Sequence, residues 1–137
     1  MAIVIDADVV IQGERGSFDF HRWLVSRPSE QFAIAAITVA ELWHGVERAI
    51  GSQRRVRERY LESFFAAIRI LPYDVQTAFE HARIWADLDS RGKMIGHYDL
   101  IVAATALEQR ADLATFNKRH FSQIAGLRIV VPTLQRP

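Results

Sequence analysis

Ala2-Ile3-Val4-Ile5-Asp6 is an apolar, largely β-branched run that stops on an acid. A short run of this kind reads as a buried strand. A carboxylate at the mouth of a buried strand has to be solvated, paired or bound to a metal. Gln31 to Ile37 reads as a second buried strand, and a helix opens after it at Thr38. Thr38-Val39-Ala40-Glu41 fits a capping box, with the hydroxyl at the N-cap and the acid three residues on. A later helix starts near Tyr98 and runs to about Arg110, carrying Asp99 in its first turn ahead of Leu100-Ile101-Val102-Ala103-Ala104.

The remaining pattern completes an alternation. Asp6 to Gln12 leaves the first strand, and Phe18 to Val25 has Phe20, Trp23 and Leu24 at helical spacing. Gln53 to Ile68 is amphipathic, with Val56, Tyr60, Leu61, Phe64 and Ile68 on one face. Arg69 to Leu71 is a short strand, and Asp74 caps a helix that runs to Arg91 and stops at Gly92. Asp112 to Phe116 and Leu127 to Val131 are the last strands. Strands alternating with helices imply βαβ units, a mostly parallel sheet and helices on both faces, an α/β fold in one domain over residues 1–137. Sites in such folds form at the carboxyl ends of the strands. Asp6, Glu41 and Asp99 occupy equivalent places in three units, so a parallel sheet brings them to one edge.

The bulk composition narrows the classes. A chain of 137 residues, half of them apolar, buries one sizeable core. The absence of cysteine excludes disulfides and thiolate zinc sites and suits a reducing compartment. The start, Met1-Ala2-Ile3-Val4-Ile5, has no basic segment and no long apolar segment of a secretory signal. Phe32 to Ala40, the longest mostly apolar run, falls far short of the about 20 residues of a membrane span. A cytoplasmic protein without membrane association is expected. The net charge of +1 points to no class of partner, although 15 of the 17 basic residues are Arg, whose fork matches phosphate.

Each acid also has a purely structural role open to it: Asp6 as an N-cap, Glu41 as the capping-box partner, Asp99 as a first-turn acid favoured by the helix dipole. Asp8 stands two residues beyond Asp6, and Asn117 and His120 follow the strand that ends at Phe116. Arg54, Arg55, Arg57 and Arg59 interleave with Glu58 and Glu62 and read as an ion-paired helix face. Trp43 and Trp85 fall on helices and suit packing or a dimer contact. Clustered carboxylates raise one another's pKa values, and a divalent cation reverses this. Oxygen ligands without Cys or a His pair favour Mg²⁺ or Mn²⁺. Such an ion can hold a phosphodiester, acidify a water and stabilise a leaving oxygen.

Four segments together resemble the PIN-domain ribonucleases, and most of all their VapC toxin branch. They are Ile3-Val4-Ile5-Asp6, Ile37-Thr38-Val39-Ala40-Glu41-Leu42-Trp43-His44-Gly45-Val46-Glu47, Ile95 through Ala106 around Asp99, and Thr115-Phe116-Asn117-Lys118-Arg119-His120-Phe121. The resemblance runs along essentially the whole chain in order and spacing. It implies a three-layer α/β/α fold with a central, mostly parallel sheet. It implies Mg²⁺- or Mn²⁺-dependent endonucleolytic cleavage of transfer or ribosomal RNA, a cognate antitoxin and a homodimer. It also implies that Asp6, Glu41 and Asp99 are catalytic and metal-binding, with Thr115, Asn117 and His120 supporting the acids or contacting substrate. Two positions depart from the family: Ala7-Asp8 stands where Thr or Ser, then Asn or Ser, is usual, and His120 stands where a fourth acid is expected. Asp8 is a possible replacement for the missing charge.

Two other functions fit parts of the sequence. Asp6-Ala7-Asp8 matches the Asp-x-Asp signature of haloacid-dehalogenase-type phosphatases. That chemistry also needs a downstream Lys followed by a second acid pair. Lys93 lies too close to Asp99 and no acid follows Lys118. The alternative is a PIN-like module that binds RNA or a partner without cutting, a reading supported only by the missing fourth acid.

Overall fold

Strand β1, Ala2–Ile5, is the middle of the molecule, and its alternation explains the layers. Ile3 and Ile5 point into one apolar cluster and Val4 into another, on opposite faces of the sheet. The computed structural model describes residues 2–133; Met1 and Leu134 to Pro137, which the single-domain reading spans, lie outside the described residues. Strands β2 (Gln31–Ala35), β3 (Arg69–Leu71), β4 (Asp112–Ala114) and β5 (Ile129–Val130) join β1 in one five-stranded sheet of order β3-β2-β1-β4-β5. Every pairing is parallel. Parallel sheets survive only when both faces are covered. Here α1 (Ala7–Glu14), α2 (Phe20–Val25), α3 (Ala36–Arg48) and α4 (Gly51–Ala67) cover one face. Helices α5 (Val75–Ser90) and α6 (His97–Glu108) cover the other, and the single turn α7 (Lys118–Phe121) adds Phe121 to that side. The three-layer α/β/α expectation holds. Among the described residues no helix is long and apolar enough to cross a membrane.

The chain leaves β1 in both directions, toward β2 and β3 on one side and β4 and β5 on the other. The carboxyl ends of β1 and β4 therefore border a topological switch point, where a crevice forms. Helix α6 is nearly all core. Leu100, Val102, Ala103, Ala104, Thr105 and Ala106 are all buried, and the small side chains let it lie close to the sheet and to α5. Helix α5 carries the expected cap: the Asp74 carboxylate accepts from the Thr77 N–H at 3.0 Å, and the Thr77 hydroxyl receives the Asp74 N–H in return. Gly92, at φ +64°, ends that helix in the left-handed conformation.

Several expectations change. The segment after Asp6, given no element in the sequence reading, is a helix, α1, with Asp6 as its N-cap, the structural role that reading left open to it. Strand β2 ends at Ala35 rather than Ile37, and α3 begins at Ala36 with no side-chain cap. Thr38 is therefore the third residue of the helix, buried with a hydroxyl that has no partner among the described residues, and no capping box forms with Glu41. Helix α4 starts at Gly51, and of its expected apolar face only Leu61 is fully buried, while Val56 is 67% exposed. Strand β4 is shorter than expected because the Phe116 N–H is drawn to the Asp8 carboxylate instead of a neighbouring strand. Of the two readings for Trp85, packing or a dimer contact, its exposure disfavours packing in the core and leaves the dimer contact open. Of the arginine-rich face, Arg54 pairs with Glu58 at 2.9 Å, but Arg57 crosses to Glu14 of α1 at 2.9 Å.

These differences are measurable by urea unfolding. Leu61→Ala is expected to cost about 2–5 kcal/mol, and Val56→Ala less than about 0.5 kcal/mol. Thr38→Val removes an unpaired buried hydroxyl, so it is expected to leave stability unchanged or raise it. A loss of about 1 kcal/mol would restore Thr38 as a cap.

Candidate active site

The carboxyl end of β1 delivers Asp6 into the crevice almost fully buried, at 6% exposure. Its backbone N–H continues the ladder to the Ala114 carbonyl at 2.9 Å. Its side chain accepts from the Ala7 N–H at 2.9 Å and from the Thr115 hydroxyl at 2.8 Å. That hydroxyl also lies 3.3 Å from Asp8 Oδ2 and receives the Asn117 N–H at 3.0 Å. A hydroxyl has one proton, and the shorter contact assigns it to Asp6. Asp8 is instead satisfied by the Phe116 N–H at 3.1 Å. The two acids of α1 thus hold the loop that follows β4.

That loop presents His120. The Asn117 side-chain amide nitrogen lies 3.2 Å from His120 Nδ1. An amide donating there leaves the proton of a neutral ring on Nε2. Nε2 faces Asp99, 3.7 Å from its Oδ2. Asp99 is the third residue of α6, and it is half-buried. Glu41 stands in the second turn of α3, half-buried, with Oε1 shielded from solvent and unpartnered among the described residues.

The charges of these groups interact. Burial, then Asp8 and Asp99, push the Asp6 carboxyl up to about 7 despite its hydrogen bonds. Burial, then Asp99 and Asp8, push Glu41 up to about 7 as well. Burial raises Asp8, and it raises Asp99, which His120 draws partly back down. Glu41 makes no direct bond to the others and joins them through this repulsion. The structure therefore brings Asp6, Asp8, Glu41, Asp99, Thr115, Asn117 and His120 to one crevice.

Among the described residues no group of three or more Asp, Glu or His side chains is placed to hold a metal ion. The donor set still fits a hard, hydrated cation. Mg²⁺ keeps several waters and binds through one or two carboxylates plus phosphate, rather than inside an all-protein cage. Asp6, Glu41 and Asp99 are the candidate ligands, and the unpaired Glu41 Oε1 is the free donor such an ion needs. The sequence reading passed over Tyr98, His97 and His44, which line the same crevice with Glu41 and Asp99. Their adjacency to Asp99, and the i, i+3 spacing of Glu41 and His44, were the available signals.

Carboxyls raised in the folded state make stability fall as pH rises. The unfolded chain releases its protons near 3.8 (Asp) and 4.5 (Glu), while folded Asp6 and Glu41 hold theirs to about 7. Between those values the native state binds more protons, so its advantage shrinks with pH and levels off above about 7. The cation-free protein is expected to melt at a lower temperature at pH 7.5 than at pH 5. Asp6→Asn should flatten this slope, and millimolar Mn²⁺ should raise the melting temperature most at the higher pH.

Comparison with known proteins places the chain in a family. The PIN domain family profile matches residues 3–127. Ribonuclease VapC1 of Rickettsia felis is 31% identical over 95% of this chain and 96% of its own length. The tRNA(fMet)-specific endonuclease VapC of Salmonella typhimurium is 32% identical over 74% of this chain and 75% of its own. A chain in the crystal structure of DNA-bound VapBC from Salmonella typhimurium superposes with a TM-score of 0.86 at 26% identity, covering 95% of this chain and 97% of that one. With the profile spanning most of its length, and with these relatives, the chain belongs to the PIN-domain family, in its VapC ribonuclease branch.

Proposed function

We propose that this protein is a Mg²⁺- or Mn²⁺-dependent endoribonuclease that acts as the toxin of a toxin–antitoxin pair and hydrolyses transfer or ribosomal RNA in the cytoplasm. The observation that carries the proposal is the group of mutually repelling acids at the β1–β4 edge, two of them raised to about 7. An apolar catalytic pocket has no use for such repulsion, whereas a cation and a phosphodiester relieve it. The VapC names of the relatives and the VapBC complex support a ribonuclease with an antitoxin partner. The exposed Val75 and Phe79 of α5 support a homodimer.

Asp6, Glu41 and Asp99 would hold the cation. When bound, it supplies positive charge that acidifies an attacking water and stabilises the leaving oxygen. The chain's own residues do the positioning. The Thr115 hydroxyl and the Ala7 N–H fix both oxygens of Asp6. Asp8 anchors the Phe116–His120 loop through the Phe116 N–H and adds a negative charge beside Asp6. Glu41 would offer its Oε1, which has no partner among the described residues, to the cation. Asn117 fixes the His120 ring so that Nε2 can donate toward Asp99 or a phosphate oxygen.

Purified protein is expected to cut structured RNA with Mg²⁺ or Mn²⁺ and to stop in EDTA. Asp6→Asn and Asp99→Asn should each lower cleavage about a hundredfold or more and relieve growth arrest in a bacterial host, with the circular-dichroism spectrum unchanged. Undiminished cleavage in EDTA would refute the proposal. Asp8→Asn keeps an oxygen for the Phe116 N–H but loses the charge. It is expected to weaken Mn²⁺ binding about tenfold in calorimetry, whereas His120→Ala should slow cleavage with Mn²⁺ affinity nearly unchanged.

A further inference from the structure

Three cavities meet at Glu41. One, of about 720 Å³, runs between α1, α3 and α4 and carries Arg15, Arg48 and Arg57. A second, of about 470 Å³, lies between Ile37, Ala40 and the Tyr98 ring. A third, of about 340 Å³, separates Tyr98 from Asp99. His44 borders the first two and Tyr98 the last two. The result is a continuous groove from a cationic arm, across Glu41, onto an aromatic ring.

The two arms differ in chemistry. Arg57 is already committed to Glu14 at 2.9 Å. Arg15 and Arg48 are exposed and have no ion-pair partner among the described residues. At the other end Tyr98 is 59% exposed, and its hydroxyl has no hydrogen bond among the described residues. An exposed ring beside a buried acid cluster contributes nothing to the core. It is, however, well placed for a flat partner, and Ile37 and Ala40, which line the same cavity, add apolar surface beside it. Guanidinium groups pair with phosphates, and aromatic rings stack with bases regardless of their identity.

Resting on the ribonuclease reading above, we propose that Tyr98 is a nucleobase-stacking residue. Single-stranded RNA crosses the groove with its backbone on Arg48 and Arg15, and the base next to the scissile phosphate lies on the Tyr98 ring. The cationic arm offsets the repulsion that the acids would otherwise exert on the RNA backbone.

Fluorescence anisotropy of labelled 12-nucleotide oligo(A), oligo(U) and an abasic ribose-phosphate oligomer tests this. The proteins are the Asp6→Asn form, which binds without cutting, alone and combined with Tyr98→Ala, Tyr98→Phe or Arg48→Ala. Tyr98→Ala is expected to weaken binding of the base-bearing RNAs about fivefold to a hundredfold, and Tyr98→Phe to keep it. The abasic oligomer should bind equally with or without the ring. Arg48→Ala should weaken binding of all three probes and lower the salt dependence by about one counterion. Equal affinity of Tyr98→Ala and its parent for oligo(A) and oligo(U) would overturn the subsite. So would unchanged RNA binding with loss of self-association, which would assign Tyr98 to a second copy of the chain. Cleavage by the natural protein separates the two levels of failure. If it cuts RNA and Tyr98→Ala binds normally, only the subsite falls; if it neither cuts nor binds RNA, both readings fall.

Discussion

Burying a carboxylate at the end of the central strand is the constraint on which the rest of this molecule depends. Asp6 cannot turn away from the crevice, because its backbone N–H is part of the ladder to β4. Its charge cannot be solvated there, so it must be hydrogen-bonded, protonated or matched by a cation. The fold supplies the first in part, through Ala7 and Thr115, and the second follows from a carboxyl held near 7. The third belongs to the proposed function. A site that is unfavourable when empty and relaxed when occupied couples binding to folding, since a cation that prefers the native state stabilises it.

The same constraint organises the surrounding loops. The Thr115 hydroxyl donates to Asp6 and accepts from the Asn117 N–H, while the Phe116 N–H turns to Asp8, and there β4 stops. The loop then turns through Asn117 to aim His120 at Asp99. An imidazole in place of a fourth acid changes the charge count: the ring lowers the repulsion on Asp99 instead of adding to it. Asp8, two residues from Asp6, puts a negative charge back from the other side of the crevice.

Farther out, a clasp fixes the helices that carry the acids. Arg57 of α4 reaches past Gly45 of α3 to Glu14 at the end of α1. A Cβ at Gly45 would overlap the guanidinium group in this position, so a side chain there would have to displace the Arg57 head. Helix α1 bears Asp8 and is capped by Asp6, while α3 bears Glu41, so this contact sets their spacing from the side away from the sheet.

Much of this was legible along the chain. Apolar strands alternating with amphipathic helices specified a parallel sheet, and an acid after each of two strands and at the head of a buried helix specified a shared edge. These signals are local, because burial periodicity and capping act within a few residues. Other features were not legible. Thr38 and Glu41 have the spacing of a capping box, yet β2 ends early and leaves Thr38 inside the helix. Val56 and Tyr60 have the periodicity of a buried face, but only Leu61 is fully buried, with Phe64 and Ile68 packed at the margin of the same core. Val9-Val10-Ile11 favours a strand by propensity, and packing against the sheet makes it a helix. The sequence alone determined which residues are ionisable and which segments form strands and helices. Only the tertiary structure decided which acids are buried, which oxygen is left unpaired and which ring faces the crevice. Burial, repulsion and hydrogen bonding depend on neighbours distant in sequence, as Asp99 and Thr115 are from Asp6.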